Sequence, residues 1–225
     1  MFKSTVFKPL LWLGAFLLVG TLLISCTHGP PFVRMKVENA RAKPDSHVIA
    51  VAVHYMQLRD PTGFINTFPN GGVSKVLDRK AMIYLCNIDT MAVSRVAFIS
   101  PPDSMKNSWS AWIIGWVGDS LYFKMTGKSG TGAKAMKEMT KIFYKVDLDG
   151  KLSEVQKVPE DIAFQHNSGP SPQGIFVRVS KGYSDINIKT ETLPEYRTMF
   201  RTDNDKRELV AVKGSNKGLT SEARN

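Results

Sequence analysis

The residues of this chain best suited to chemistry fall into a few groups, and each fails a specific requirement. Gly127-Lys-Ser-Gly-Thr-Gly132-Ala-Lys134 has the glycines of a phosphate-binding loop. That loop places its lysine directly after the second glycine, followed by a hydroxyl residue for magnesium. Here Ala133 intervenes, Ala135 follows the lysine, and the next run reads as a strand rather than a long helix. Asp147-x-Asp149-Gly150 opens like a calcium loop, but Lys151 holds the next ligand position and Val158 the twelfth, which requires a bidentate glutamate. Asp-Gly between two alternating apolar runs instead reads as a hairpin turn. His166 stands two residues before a Ser-Gly-Pro-Ser-Pro turn that holds Ser168 and Ser171, with Gln173 where a nucleophile elbow needs glycine.

The histidines give no metal site. His28 stands near the start of the chain, and His47 and His54 are seven residues apart on one strand-like run, on opposite faces. Cys86 lies in an apolar run and reads as a small buried hydrophobe. No cofactor is expected, and no catalytic set assembles locally. An enzyme would have to draw on distant carboxylates such as Asp103, Asp119, Glu160 and Asp161, as a cell-wall or lipid hydrolase does.

Binding chemistry is better represented. Between Lys124 and Lys145 there are six lysines against one acid, Glu138, and the stretch from Arg197 adds seven basic residues against four acids. The formal net charge of the 225-residue chain is +10. Such a surface attracts anionic headgroups, acidic polymers or an acidic protein. Lys128, Lys134, Lys137 and Lys141 are the expected partner contacts, together with Trp109, Trp112 and Trp116. In an uninterrupted strand Trp112 and Trp116 share a face and Trp109 takes the other.

The first 26 residues carry an address. Lys3 and Lys8 precede residues 9–25, which hold no charge, and Leu23-Ile24-Ser25-Cys26 follows. Basic start, apolar core and small residues form an export signal. Leu-Ile-Ser-Cys also resembles the lipobox of bacterial lipoproteins. That resemblance implies cleavage between Ser25 and Cys26 and acylation of Cys26. It also implies an envelope location, with Thr27, in place of an aspartate, favouring the outer membrane facing the periplasm. Two or three acyl chains give a stable anchor where one is marginal. Nucleic acid is not an expected partner of an exported, tethered protein.

Residues 1–25 are thus expected to be a signal peptide, 26–46 a lipidated cysteine and polar tether, 47–213 a single domain and 214–225 a flexible tail. From His47 onward the pattern is β: HVIAVAVHY is apolar on both faces, and short β-rich runs recur between Gly, Pro, Asp and Asn turns. Tyr84…Asp89, Tyr144…Asp149 and Phe200…Asp205 each set an aromatic five residues before an aspartate, with the aspartates 60 and 56 residues apart. An Asp hairpin recurring at that period resembles the outer strands of a β-propeller blade, and Trp109–Val158 reads as one four-stranded blade. The expected fold is therefore all-β: antiparallel meander sheets, blade-like and open or partial as a propeller, with a β-sandwich as the alternative and a homo-oligomer as one way to close a ring.

These readings converge on a non-enzymatic, membrane-anchored envelope lipoprotein whose β domain binds a protein partner, in assembly or as a scaffold. An immunity lipoprotein that neutralises a periplasmic toxin has the same sequence requirements.

Overall fold

A computed structural model describes residues 29–60, 74–102, 105, 108–128, 139–162, 175–179, 185–190 and 197–212. Among them are twelve β-strands: β1 (Phe32–Ala42), β2 (Val48–Arg59), β3 (Lys75–Asn87), β4 (Val93–Ile99), β5 (Ser108–Val117), β6 (Ser120–Lys128), β7 (Thr140–Asp147), β8 (Leu152–Val155), β9 (Ile175–Val179), β10 (Asp185–Thr190), β11 (Arg197–Asp203) and β12 (Glu208–Ala211). They form three four-stranded antiparallel sheets, β1–β4, β5–β8 and β9–β12, each with neighbours in sequence order. The all-β meander expected from the sequence is the observed fold, and Trp109–Val158 forms one four-stranded sheet.

The chain divides into two compact units, residues 1–32 with 57–78, and residues 33–56 with 79–225. In the first, the Gly29 N–H donates to the Asp60 carbonyl at 2.9 Å, and Ser74 Oγ donates to an Asp60 carboxylate oxygen at 2.5 Å.

In the second unit, Ile49–Tyr55 of β2 and Ala81–Cys86 of β3 are buried on both faces, and strand parity sorts their side chains. Ile49, Val51, Val53 and Tyr55 of β2 join Met82, Tyr84 and Cys86 of β3 in one core with Ile186, Ile188, Phe200 and Leu209 of the β9–β12 sheet. The alternate residues Ala50, Ala52, Ile83 and Leu85 enter a second core with Ile113, Trp116, Leu121, Phe123 and Val146 of the β5–β8 sheet. This two-sided burial is why His47–Tyr55 reads as an unbroken apolar run. Cys86 is fully buried, and desolvation pushes its thiol far above the ordinary value, so the buried-hydrophobe reading fits its position.

The aromatic–aspartate repeat marks the same place in all three sheets, the turn from third strand to fourth. In two of them an Asx residue two positions before the repeated aspartate closes the turn. The N–H groups of Asp89 and Thr90 donate to Asn87 Oδ1, and those of Asp205 and Lys206 donate to Asp203 Oδ1. Met91 and Arg207 then take the left-handed conformation. The middle turn is one residue shorter and uses Gly150, at φ 84°, where a glycine carries no Cβ penalty.

One expected boundary changes. Phe32–Ala42, expected within the polar tether, is strand β1, with Met35, Val37, Asn39, Ala40 and Ala42 buried. Val33, Met35 and Val37 alternate with charged residues, a period-2 pattern that the flanking prolines and polar residues obscure. Only residues 27–31 separate Cys26 from this strand. Six residue steps span at most about 20 Å when fully extended.

Candidate functional site

β6 shows how the β5–β8 sheet presents two chemistries. Leu121, Phe123 and Met125 are fully buried on its inner face, while Tyr122, Lys124, Thr126 and Lys128 alternate with them on the other. Strand register extends that outer face. Trp112 of β5 lies opposite Lys124, which lies opposite Phe143 of β7. Ser110 lies opposite Thr126, which lies opposite Lys141, and Tyr122 lies opposite Lys145.

The three tryptophans are sorted by a β-bulge. The β5–β6 register slips between Ile113 and Gly115, so two β5 steps oppose one on β6 and the inward–outward alternation inverts. Trp112 is consequently 37% exposed on the outer face, whereas Trp116 is 4% exposed and Trp109 6% exposed, both in cores. The expected shared face of Trp112 and Trp116 is therefore corrected, and only Trp112 offers contact surface. Its indole is held by a hydrogen bond from Nε1–H to Ser110 Oγ (2.8 Å), and Ser110 Oγ is 3.4 Å from Thr126 Oγ1.

Around Trp112 the charge is one-sided. A concavity of about 380 Å³ is lined by Arg41, Trp112, Lys124, Thr126, Met139 and Lys141, with Ile113 and Ile114 at its side. Among the described residues, Lys124, Lys128 and Lys141 make no ion pair. Elsewhere Lys43 pairs with Asp119, Lys157 with Glu160 at 2.6 Å and Lys145 with Asp147 at 3.1 Å. The Asp147 carboxyl is held below its ordinary value by the Ser120 hydroxyl and then by Lys145. Partial burial pulls the Arg41 guanidinium below its ordinary value. The concavity contains cations, an aromatic plane and aliphatic walls. It is suited to holding an anionic group beside an apolar one.

Two other constellations join sheets or line an edge. Buried Asn39 of β1 accepts from the Ile113 N–H and donates to the Ile113 carbonyl, both at 3.0 Å, so a side-chain amide pairs the outer edge of β5 beside the bulge. His54 Nδ1 is 3.5 Å from Glu38 Oε1, and its ring packs against Trp109 with centroids 4.3 Å apart and planes tilted by 46°. Burial alone raises the Glu38 carboxyl, but the His54 hydrogen bond and Lys36 outweigh it and hold it below the ordinary 4.5. On β4, Phe98 is 46% exposed, with Lys80 Nζ 4.7 Å and Arg95 Cζ 4.9 Å from its ring centroid.

The remaining sequence candidates are distributed as follows. Ser25, Cys26, Lys134, Lys137, Asp103, His166, Ser168 and Ser171 lie outside the described residues. Lys141 lines the concavity, and Lys128 lies on the same face beyond it. Among the described residues no three His, Cys, Asp or Glu side chains converge as a metal site would require. The sequence pattern sets Arg41 in the tether and gives Glu38, Asn39 and His54 no joint role, because Glu38 meets His54 only once β1 lies beside β2, and Asn39 meets Ile113 only once β1 lies beside β5. Compared with protein families, curated proteins and solved structures, the chain matches none of them.

Proposed function

We propose that the protein is a lipid-anchored bacterial envelope lipoprotein whose β domain binds a protein partner through the outer face of the β5–β7 strands. One observation carries this reading: Lys124, Lys128 and Lys141 stand on one sheet face without ion-pair partners among the described residues, grouped with exposed Trp112. Uncompensated cations beside a solvent-exposed tryptophan are the composition of a binding surface, since Trp and Lys or Arg clusters supply contact energy and steering respectively. The lipobox resemblance at Leu23–Cys26 supports an acylated Cys26 and an outer-membrane, periplasm-facing location. The position of β1 supports a partner met close to the bilayer, because the lead from Cys26 to β1 reaches no more than about 20 Å.

The test is a cross-linked pull-down of the full-length protein from its own cells in mild detergent, with mass spectrometry. The expected result is a stoichiometric envelope protein that is lost when Trp112→Ala and Lys128→Glu are combined. A secreted toxin would instead identify an immunity role, and a sample free of any partner would contradict binding as the main role.

A further inference from the structure

Resting on that reading, we infer that the concavity beside Trp112 is the anchor point of the interface, and that it receives an acidic side chain of the partner next to an apolar one. Lys124 and Lys141 reach the cavity from adjacent strands, with Arg41 from β1, and no carboxylate among the described residues lines it. Lys124 and Lys141 thus face one another as like charges until an anion enters, so an acidic group gains from both at once. Trp112 and Met139 supply the neighbouring wall, and the Trp112 ring is preset by its bond to Ser110. A side chain that is already ordered loses little freedom on binding.

The volume favours a protein segment over a membrane. About 380 Å³ lies at the small end of ligand pockets, room for a few side chains rather than an extended surface. A bilayer meets a flat array of lysines, and its attraction needs no concavity. Here the two lysines converge on a recess while Lys128, on the same face, stands outside it. That difference within one face separates a built recess from a general basic surface.

The experiment uses the full-length protein in phosphatidylcholine nanodiscs, titrated with fluorescent pentapeptides Gly-Glu-Phe-Glu-Gly and Gly-Gln-Phe-Gln-Gly. The acidic peptide is expected to bind at least about tenfold more tightly than the neutral one, a difference that Lys124→Glu with Lys141→Glu removes. Lys128→Glu should change its affinity by less than about threefold, as for a rim charge. Lys124→Gln with Lys141→Gln, which adds no repulsion, should give an intermediate loss. Equal affinity for the two peptides overturns the inference, as does a loss from Lys128→Glu as large as that from the recess pair. Abolition of peptide binding when phosphatidylglycerol replaces part of the lipid assigns the recess to headgroups and also overturns it. A partner that is still captured in cells by the recess variants defeats this inference alone, while absence of any captured partner defeats the reading beneath it.

Discussion

The β1–β4 and β5–β8 sheets are built from the same number of strands in the same order, yet Ile49–Tyr55 and Ala81–Cys86 of the first are buried on both faces, whereas in β6 of the second only alternate residues are. In β2 every residue from Ile49 to Tyr55 is buried, and apolar side chains face both neighbours. In β6 buried Leu121, Phe123 and Met125 alternate with Tyr122, Lys124 and Thr126. Those parts of β2 and β3 are the structural centre of the second unit; the second sheet has a face that, among the described residues, is only partly covered, on which charge can accumulate at little cost to stability. Burial of alternate residues determines where binding groups can stand.

The largest expected effect breaks the inner side of that contrast. Phe123→Ala removes a fully buried ring between the two sheets and is expected to cost about 3–5 kcal/mol. Trp112→Ala, one strand away on the outer face, should cost under about 1 kcal/mol. Urea unfolding followed by circular dichroism measures both, and similar losses would mean that the outer face is structural.

Next in size is the link between the sheets. Asn39→Ala leaves the Ile113 N–H and carbonyl without their partners and is expected to cost about 2–4 kcal/mol, since each buried unpaired group costs roughly 1–3. The same unfolding measurement checks it, and a loss below about 1 kcal/mol would show that water replaces the amide.

A smaller effect sharpens the junction at Glu38. Its carboxyl is held below 4.5 in the folded protein, so its contribution is present above that pH and is lost as the pH falls through the folded value. Thermal melts from pH 6 to pH 3 should therefore decline less steeply for Glu38→Gln than for the natural protein. Parallel curves would contradict the pairing with His54. Smallest of all, Lys124→Glu and Lys141→Glu should each leave stability within about 0.5 kcal/mol, because neither lysine makes an ion pair among the described residues.

Much of this arrangement is legible in the sequence. The unbroken apolar run at His47–Tyr55 encodes two-sided burial, and the aromatic–aspartate spacing encodes the third hairpin of each sheet. The lysine count between Lys124 and Lys145 points to the open face. Two features escape for physical reasons. The bulge at Ile113–Gly115 inserts one residue into the β5 pairing, and a strict period of two then assigns Trp116 to the wrong side. β1 is hidden because Asn39, Glu38 and Arg41 look solvent-seeking until other strands supply their surroundings, His54 of β2 for Glu38 and Ile113 of β5, 74 residues away, for Asn39. Local pattern conveys which residues alternate; it does not convey which strand comes to lie beside them.

The most direct test of the central claim compares two exposed aromatics that both stand beside cations, Trp112 on the β5–β8 sheet and Phe98 on the β1–β4 sheet. A photo-reactive benzoylphenylalanine placed at each position in turn, in the full-length protein in its own cells, is irradiated and the adducts are identified by mass spectrometry. The account expects a discrete protein adduct from position 112 and none of comparable yield from position 98. Adducts from position 98 alone, or lipid as the sole adduct at 112, would contradict it.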